Sequence, residues 1–490
     1  MAHICDSPST KDLGKNLGVP LIHSRINNRT YIEIVDKTLK RLTSWKSATL
    51  SFAGRITLIK AVTSALLVYA MQSVKLPGGI CSNMDRINRN FLWGHMEEKK
   101  AVHLIKWDTV CKPKSKGGLG LKKMKNLNQS LLAKAGWRMI QPGAGLWSSL
   151  LHNKYFENGV LLDKIGKSKG TCSSTWRGIT FEAANLAKGL LWRLGDWKSI
   201  NFWTERWLPD LGSLEAHACI QLNEDKLKEK VCCYFDKGSW DIHKLRDVVP
   251  EALVHRIICV YANGNVNKHD KLIWGLSNGG NFTVKSAYDL QCGVAEVTEW
   301  DWNFIWRLKL PPKITHFLWL LLHGRLLTNV HRCSRGLDDV ATCPRCNISN
   351  EDLNHLLRDC NYSINIWRSI WGCGRASTLL KGDLNTWLRC NLKDKSCSDN
   401  MIPNFLLFAS TLWFLWKWRC SSIFDDKFSL PFWPNIVIKR YCKEWLQANE
   451  SGKRDCSENS HLIVWLPPCQ RWIKLNVDGG RSSYGGKIYA

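Results

Sequence analysis

Hydrophobic and polar positions in this chain alternate with a helical period over much of its length. Ile34, Val35, Thr38, Leu39 and Leu42 recur at that spacing with basic residues opposite, which predicts an amphipathic basic helix. From Gly54 to Met71 (GRITLIKAVTSALLVYAM) the chain is apolar on most sides, so a buried helix is expected, with Pro77 and Gly78 placed to end it. The stretch from Trp147 to Leu290 is punctuated by tryptophan, as in LLWRLGDWKSINFWTERWLPD and DKLIWGLSNGGNFTVKSAYDL. In the second of these, Phe282 and Val284 alternate after Gly279 and Gly280, which predicts a hairpin or strand-turn-strand followed by a short helix. Glu351, Leu353, Leu356 and Leu357 fit one or two helical turns. The run Phe405 to Trp418 (FLLFASTLWFLWKW) reads as a buried helix, too short and too interrupted by Lys417 to span a membrane. The first 16 residues are polar and unpatterned, and polar spacers fall at Leu392 to Asn400 and about Asn449 to Ser460. The fold class expected is mainly α with short β segments, in a multi-domain chain.

Length and charge sharpen this picture. A chain of 490 residues exceeds one ordinary core, so two to four domains are expected. Lys plus Arg number 69 against 42 Asp plus Glu, a net charge of +27, and a surplus of that size implies a polyanionic partner, nucleic acid being the commonest. There is neither a secretory leader pattern at Met1 nor a membrane-length apolar run. The 20 cysteines lack the even framework of a small secreted fold, so a reducing, intracellular compartment, nucleus or cytoplasm, is expected. KPKSK at Lys112 to Lys116 is a weak basic cluster, more often a loop than a nuclear signal. Most of the 26 tryptophans belong in cores, although aromatic rings also stack on bases.

The densest candidate chemistry is CPRCNISNEDLNHLLRDC. Cys343 and Cys346 are separated by two residues, His355 follows after eight more, and Cys360 after another four. Thiolate and imidazole are ligands that Zn²⁺ prefers, and four of them close a structural site with no open position. His331 and Cys333, just upstream, are possible substitute ligands, and free cysteine as a small buried hydrophobe is the bland alternative.

LGVPL, SWKSATLSFAGRITLIKAV, NFLWG and KGGLGLKKMKNLNQSLLAKAGWR resemble the segment after the polymerase palm in plant LINE-type non-LTR retrotransposon reverse transcriptases. The resemblance implies a helical thumb and connection that hold template and primer. It implies phosphate contacts at Lys46, Arg55, Lys60, Arg86, Lys122, Lys123 and Lys125. Trp302 to Trp371 resembles the reverse transcriptase zinc-binding domain of these elements, whose ligand set maps onto Cys343, Cys346, His355 and Cys360. Lys309, Lys313, Arg325, Arg332, Arg335 and Arg345 surround that segment and suit a phosphate backbone. Phe424-Asp425-Asp426 invites comparison with a polymerase palm motif, but the alanine is missing and no second acidic strand precedes it.

Near the end, KLNVDGG is similar to the first strand of the ribonuclease H domain of the same elements, with Asp478 as its first acidic ligand. Two-Mg²⁺ hydrolysis of a phosphodiester needs several carboxylates, so Asp478 is expected to be a remnant of an incomplete site. The expected organisation is an unstructured N-terminus (1–16), a thumb/connection-like region (17–145), a tryptophan-rich middle (146–298), a zinc-binding domain (299–375), a helix with linkers (376–465) and a truncated α/β ribonuclease H-like start (466–490). The leading functional expectation is a retrotransposon-derived fragment that binds RNA, DNA or hybrid through basic surfaces and a structural zinc, without membrane attachment and without catalysis. The alternatives are an RNA:DNA hybrid ribonuclease completed by another chain, and a zinc-stabilised interaction protein.

Overall fold

The computed structural model describes residues 28–454 apart from 67, 96–100, 142–144, 156–171, 237–238, 261–268, 294–298, 380–381 and 398–400, together with two short strand pairs near the termini. Helices dominate, as expected. The chain divides into two compact units, Met1–Leu327 and Thr328–Ala490.

The first unit opens with the strand pair β1 (Lys15–Asn16) and β2 (Val19–Pro20), then α1 (Ile32–Arg41), α2 (Ser44–Thr49), α3 (Phe52–Leu66), α4 (Val68–Ser73) and α5 (Gly78–Trp93). In α1, Ile34, Val35 and Thr38 are buried as the pattern requires, but Leu39 stands 47% exposed on the rim of the apolar face. Pro77 and Gly78 do not end the preceding helix, which stops at Ser73; Pro77 is the N-cap residue of α5. A proline's fixed φ and missing N–H are tolerated where a helix begins, which is the role it takes here.

After the single turn α6 (Trp107–Val110) comes α7 (Met124–Ile140), against which α4, α5, α9 (Ser174–Ala187) and α13 (Val284–Gln291) all pack. Its polar core residue Asn128 has a specific task. The side-chain amide donates to the carbonyls of Met71 and Val74 (2.9 and 2.8 Å), and its oxygen accepts from Leu76 N–H (2.9 Å). These bonds satisfy backbone groups where α4 ends, which would otherwise be orphaned in the core. Between α7 and α9 lies α8 (Leu146–Tyr155).

The middle region is an aromatic core. Phe202, Trp203, Trp207, Tyr234 and Trp240 pack with Leu245, Val254 and Ile257 among the short elements α10 (Glu224–Leu227), β4 (Phe235–Asp236), β5 (Ser239–Trp240), α11 (Ile242–Val248) and α12 (Glu251–Cys259). Asp270 clips the loop before it, accepting from the N–H groups of Gly195, Trp197 and Ser199. The expected hairpin at 271–284 does not form. Strand β6 (Lys271–Trp274) pairs instead with β3 (Leu190–Arg193), Leu190 opposite Trp274, and Val284 begins helix α13 (Val284–Gln291) with Thr283 as its N-cap. The alternation was too short to fix a strand, and Thr283 supplied a stronger local signal for helix initiation. α14 (Trp302–Arg307) and α15 (Pro312–Leu322) complete the unit.

The second unit contains α16 (Asn329–Cys333), α17 (Asn361–Leu379), α18 (Leu384–Lys393), α19 (Asn404–Phe424) and α20 (Pro434–Arg454). The apolar run forms α19 and is buried along most of its length. Among the described residues, no helix is long and apolar enough to cross a membrane. Asp425 is the C-cap of α19 and Phe424 is 76% exposed. Near the terminus β7 (Gly480–Arg481) pairs with β8 (Ile488–Tyr489). Asp478 lies outside the described residues.

Candidate metal centre

The chain from Ala341 to Glu351 doubles back on itself. Glu351 N–H donates to the Ala341 carbonyl (2.8 Å), Cys343 N–H to Ser349 (2.8 Å), and Thr342 bridges Asn350. Cys343, Pro344, Arg345 and Cys346 occupy the tip, and Asn347 takes a left-handed conformation (φ 54°) as its N–H closes on the Cys343 carbonyl at 2.9 Å. Asparagine tolerates that region better than most residues. Both thiols are thereby turned to one side.

The other two ligand candidates come from a single π-type turn, His355–Asp359, that runs into Cys360. Asp352 caps the turn by accepting from His355 N–H at 2.7 Å. Its carbonyls, which a continuing helix would have used, are taken by side chains: Ser363 and Arg345 donate to Leu356 (2.6 and 3.2 Å), and Trp367 Nε1 donates to Leu357 (2.8 Å). With Leu356 and Leu357 fully buried as anchors, His355 and Cys360 are held on the same side as the knuckle thiols.

The four ligand atoms of Cys343, Cys346, His355 and Cys360 all lie within 4.8 Å of one another. A tetrahedral zinc with Zn–S bonds of about 2.3 Å separates its ligands by roughly 3.8 Å, so this set closes on the ion with shifts of about an ångström. Cys346 Sγ is already 3.3 Å from His355 Nε2. Burial raises the Cys346 thiol, but the N–H groups of Ile348 and Ser349, with Cys343 and the His355 ring, outweigh it and bring the thiol to about 6. Burial pushes Cys360 up to about 11, against the Tyr362 N–H and the Arg345 charge. Cys343 and Cys360 are completely buried, while Cys346 and His355 are partly exposed. The donors are three sulfurs and one imidazole with no carboxylate, a set that suits Zn²⁺ and leaves no coordination position for a substrate. His331 is not in the cluster; its Nε2 accepts from Arg335 Nε at 3.1 Å.

The basic residues singled out from the sequence are not gathered at this centre. Arg345 is: it bonds the Leu356 carbonyl and lies 5.9 Å from the Tyr362 ring. Arg332 pairs with Asp338 at 2.9 Å. In the first unit, Arg55 donates to the carbonyls of Leu50 and Leu92 (3.2 and 3.1 Å), Lys46 to that of Arg41 (3.0 Å), and Arg86 to Asn83. Lys123 pairs with Asp108 at 2.6 Å. Lys125, Lys309, Lys313 and Arg325 are exposed.

Lys60 and Lys122 belong to a tighter group. Lys60 Nζ donates to the Leu119 carbonyl (3.2 Å), and burial first, then the charges of Lys114 and Lys122, hold its ammonium below the usual lysine value. Lys122 sits 3.7 Å from the Tyr288 ring centre. Lys114 lies 4.6 Å from the Trp306 ring, and Lys112 and Arg325 both act on His323. This gathering depends on the turn that follows KPKSK, where Gly118 N–H bonds the Pro113 carbonyl and Gly120 N–H that of Lys112 (3.0 and 3.1 Å). Lys112 and Lys114 were not singled out as contacts from the sequence, because a basic pentapeptide reads as solvated loop until α15 and Gly117 are brought against it. Trp319 and His323 both bond the Gly117 carbonyl (2.8 and 2.9 Å).

Residues 282–367 match the model of a family described as zinc-binding in reverse transcriptase, and the match contains all four residues of the cluster. A protein of Arabidopsis thaliana named as a putative ribonuclease H protein is 33% identical over 492 residues, covering 96% of this chain and 78% of the relative. The chain belongs to this retrotransposon-derived, reverse-transcriptase zinc-binding family. An uncharacterized mitochondrial protein of Arabidopsis thaliana is 34% identical over 148 residues, 30% of this chain and 94% of that protein. Members of the family therefore occur in plants, and the Cys₃His cluster is the feature of the matched segment that carries chemistry.

Proposed function

We propose that this chain is a nucleic-acid-binding protein in which one zinc ion has a structural, non-catalytic role. The observation that carries the reading is the gathering of Lys60, Lys114 and Lys122 about the 112–122 segment of the first unit, Lys60 on the Leu119 carbonyl, Lys114 4.6 Å from the Trp306 ring and Lys122 3.7 Å from the Tyr288 ring; burial first, and then the other two charges, lower the Lys60 ammonium. Cations packed against one another at a protein surface are relieved by a polyanion, and a phosphate backbone supplies charge at the required density. Lys112 and Arg325, on the same unit, both act on His323. Zinc on Cys343, Cys346, His355 and Cys360 would close the knuckle onto the π-turn and order the segment between them. Binding of this kind neutralises phosphates without reading bases, so little sequence preference is expected.

The test is filter binding of a labelled RNA:DNA hybrid across a salt series. Affinity should fall linearly on a double-logarithmic plot, and Lys60→Gln/Lys114→Gln/Lys122→Gln should reduce the slope by roughly two to three, about 0.9 per lost phosphate contact. Binding that is indifferent to salt, or to the three substitutions, would remove the proposal.

A further inference from the structure

A cavity of about 290 Å³ opens on the first unit between α4, α7, α8 and α9, lined by Tyr69, Gln72, Ser73, Leu131, Lys134, Ala135, Arg138, Trp147 and Thr175. None of these residues belongs to the lysine cluster or to the metal centre. Its size is near the lower end for ligand pockets, which run from about 300 to 1,000 Å³.

The lining has three chemically distinct parts. Tyr69, 46% exposed, and Trp147, partly exposed, offer flat aromatic faces. Lys134 and Arg138, one turn apart on α7 and both exposed, put two cations on the same side of that helix, and the Arg138 guanidinium lies 5.9 Å from the Trp147 ring centre. Gln72, Ser73 and Thr175 contribute an amide and two hydroxyls to the lining, and Leu131 and Ala135 contribute apolar surface. Among the described residues, no carboxylate lines the cavity.

Aromatic faces and cations, together with neutral hydrogen-bonding groups and with no acid among the described lining residues, fit a ligand that is a flat heteroaromatic ring bearing a negative charge. We infer that this pocket takes one unpaired nucleotide of a single-stranded nucleic acid. The base stacks against both Trp147 and Tyr69, Gln72, Ser73 and Thr175 meet its polar edge, and Lys134 and Arg138 take the adjoining phosphate. A duplex cannot use the pocket in this way, because its base faces are already stacked on one another. Exposed Lys154 and Arg177, on the flanking helices α8 and α9, keep the neighbourhood cationic for the strand on either side. The inference rests on the nucleic-acid reading above but is separable from it: the lysine cluster should serve duplex and single strand alike, whereas this pocket serves only the single strand.

The experiment is fluorescence anisotropy with the full chain, using a labelled 20-nucleotide single strand and a labelled duplex of the same length at one salt concentration. Trp147→Ala and Tyr69→Ala should each weaken single-strand binding about tenfold, the ordinary effect of removing a base-stacking ring, and leave duplex affinity within twofold. Trp147→Phe, which keeps a stacking face, should restore most of the loss; this and the exposed Tyr69 position separate lost stacking from lost folding. Single-strand affinity unchanged in both alanine variants, or single-strand and duplex affinity falling together, would overturn the pocket assignment. If the wild-type chain bound neither probe, the broader nucleic-acid reading would fall with it. Loss of binding to both probes in the Lys60/Lys114/Lys122 variant, with the Tyr69→Ala effect confined to the single strand, would support both.

Discussion

Arg419 reaches out of α19 to Glu351 at the base of the cysteine knuckle, with Nε 2.9 Å from one carboxylate oxygen and a terminal nitrogen on the other. Both side chains are buried, at 2% and 0% exposure. The same guanidinium donates to Asn329 Oδ1 (2.8 Å), whose own N–H returns to Glu351 and whose amide reaches the Thr342 carbonyl. Burial disfavours the Arg419 charge, but the Glu351 carboxylate outweighs it and raises its pKa. Three pieces of chain are thus tied by one polar network where the knuckle begins.

Removing one partner should expose what the network does. Arg419→Ala leaves a carboxylate buried without its cation, which costs about 3–5 kcal/mol. The paired change Arg419→Met/Glu351→Leu removes both charges and should recover much of that loss. Guanidinium unfolding of the two variants measures the difference; equal destabilisation in both would show that the pair does not act as a unit.

Chelation should unfold the ligand segment selectively. The four donors come from a hairpin and a π-turn whose hydrogen bonds are mostly local, so without an ion little but the Arg345 bond to the Leu356 carbonyl, the buried Leu356 and Leu357, and the Arg419 network holds them together. Hydrogen exchange of residues 341–360 should rise sharply on adding a chelator and in Cys360→Ser, while α7 of the other unit keeps its protection. Metal analysis should give one zinc per chain in the wild type and less in the variant. Full protection of 341–360 in the chelated protein would contradict a structural role for metal.

The helices and the clustering of three cysteines with one histidine were legible in the sequence for a simple reason: both are local. Ile34, Val35 and Thr38 advertise their face by spacing, and Cys343, Cys346, His355 and Cys360 lie within eighteen residues. What could not be read depended on distant chain. Trp274 finds its strand partner at Leu190, Arg419 finds Glu351, and Asn128 finds the end of α4, and no spacing rule connects them. The basic residues show the same division. Composition announced an excess of positive charge, but whether a given cation meets solvent or a backbone carbonyl is a tertiary fact. Arg55, donating to Leu50 and Leu92, has much of its hydrogen-bonding capacity committed inside the fold.

Gly118→Ala should be among the most damaging single changes in the first unit. A Cβ at Gly118 would fall 1.8 Å from the Lys112 carbonyl oxygen, a backbone atom that cannot swing aside. The turn would have to open, at about 3 kcal/mol or more, the upper range for point substitutions. Because the turn also positions Lys112 and Lys114, nucleic-acid affinity should fall with stability. Gly78→Ala is the control: nothing lies within 4 Å of the added carbon, and the residue begins a helix. It should be neutral or slightly stabilising. Thermal melts of the two variants decide the matter, and a Gly118→Ala protein as stable as wild type would show that the loop adopts another conformation.

Asp85 makes the first unit sensitive to pH in an unusual direction. Burial raises its carboxyl from 3.8 to about 6, even though Met124 N–H donates to it at 3.2 Å and Lys123 and Arg89 lie near. An acid with a higher pKa folded than unfolded holds its proton more tightly in the folded state, so stability declines as pH rises from about 4 to about 6 and then levels off. Its contribution is most favourable below the unfolded value and is lost above the folded one. Asp85→Asn keeps an acceptor for the Met124 N–H and removes the ionisation. It should therefore flatten the pH 4–6 limb and add on the order of 2 kcal/mol at pH 7 after allowance for partial exposure. Urea midpoints at half-unit steps across that range test this directly; a slope that persists in Asp85→Asn would assign the titration to another group.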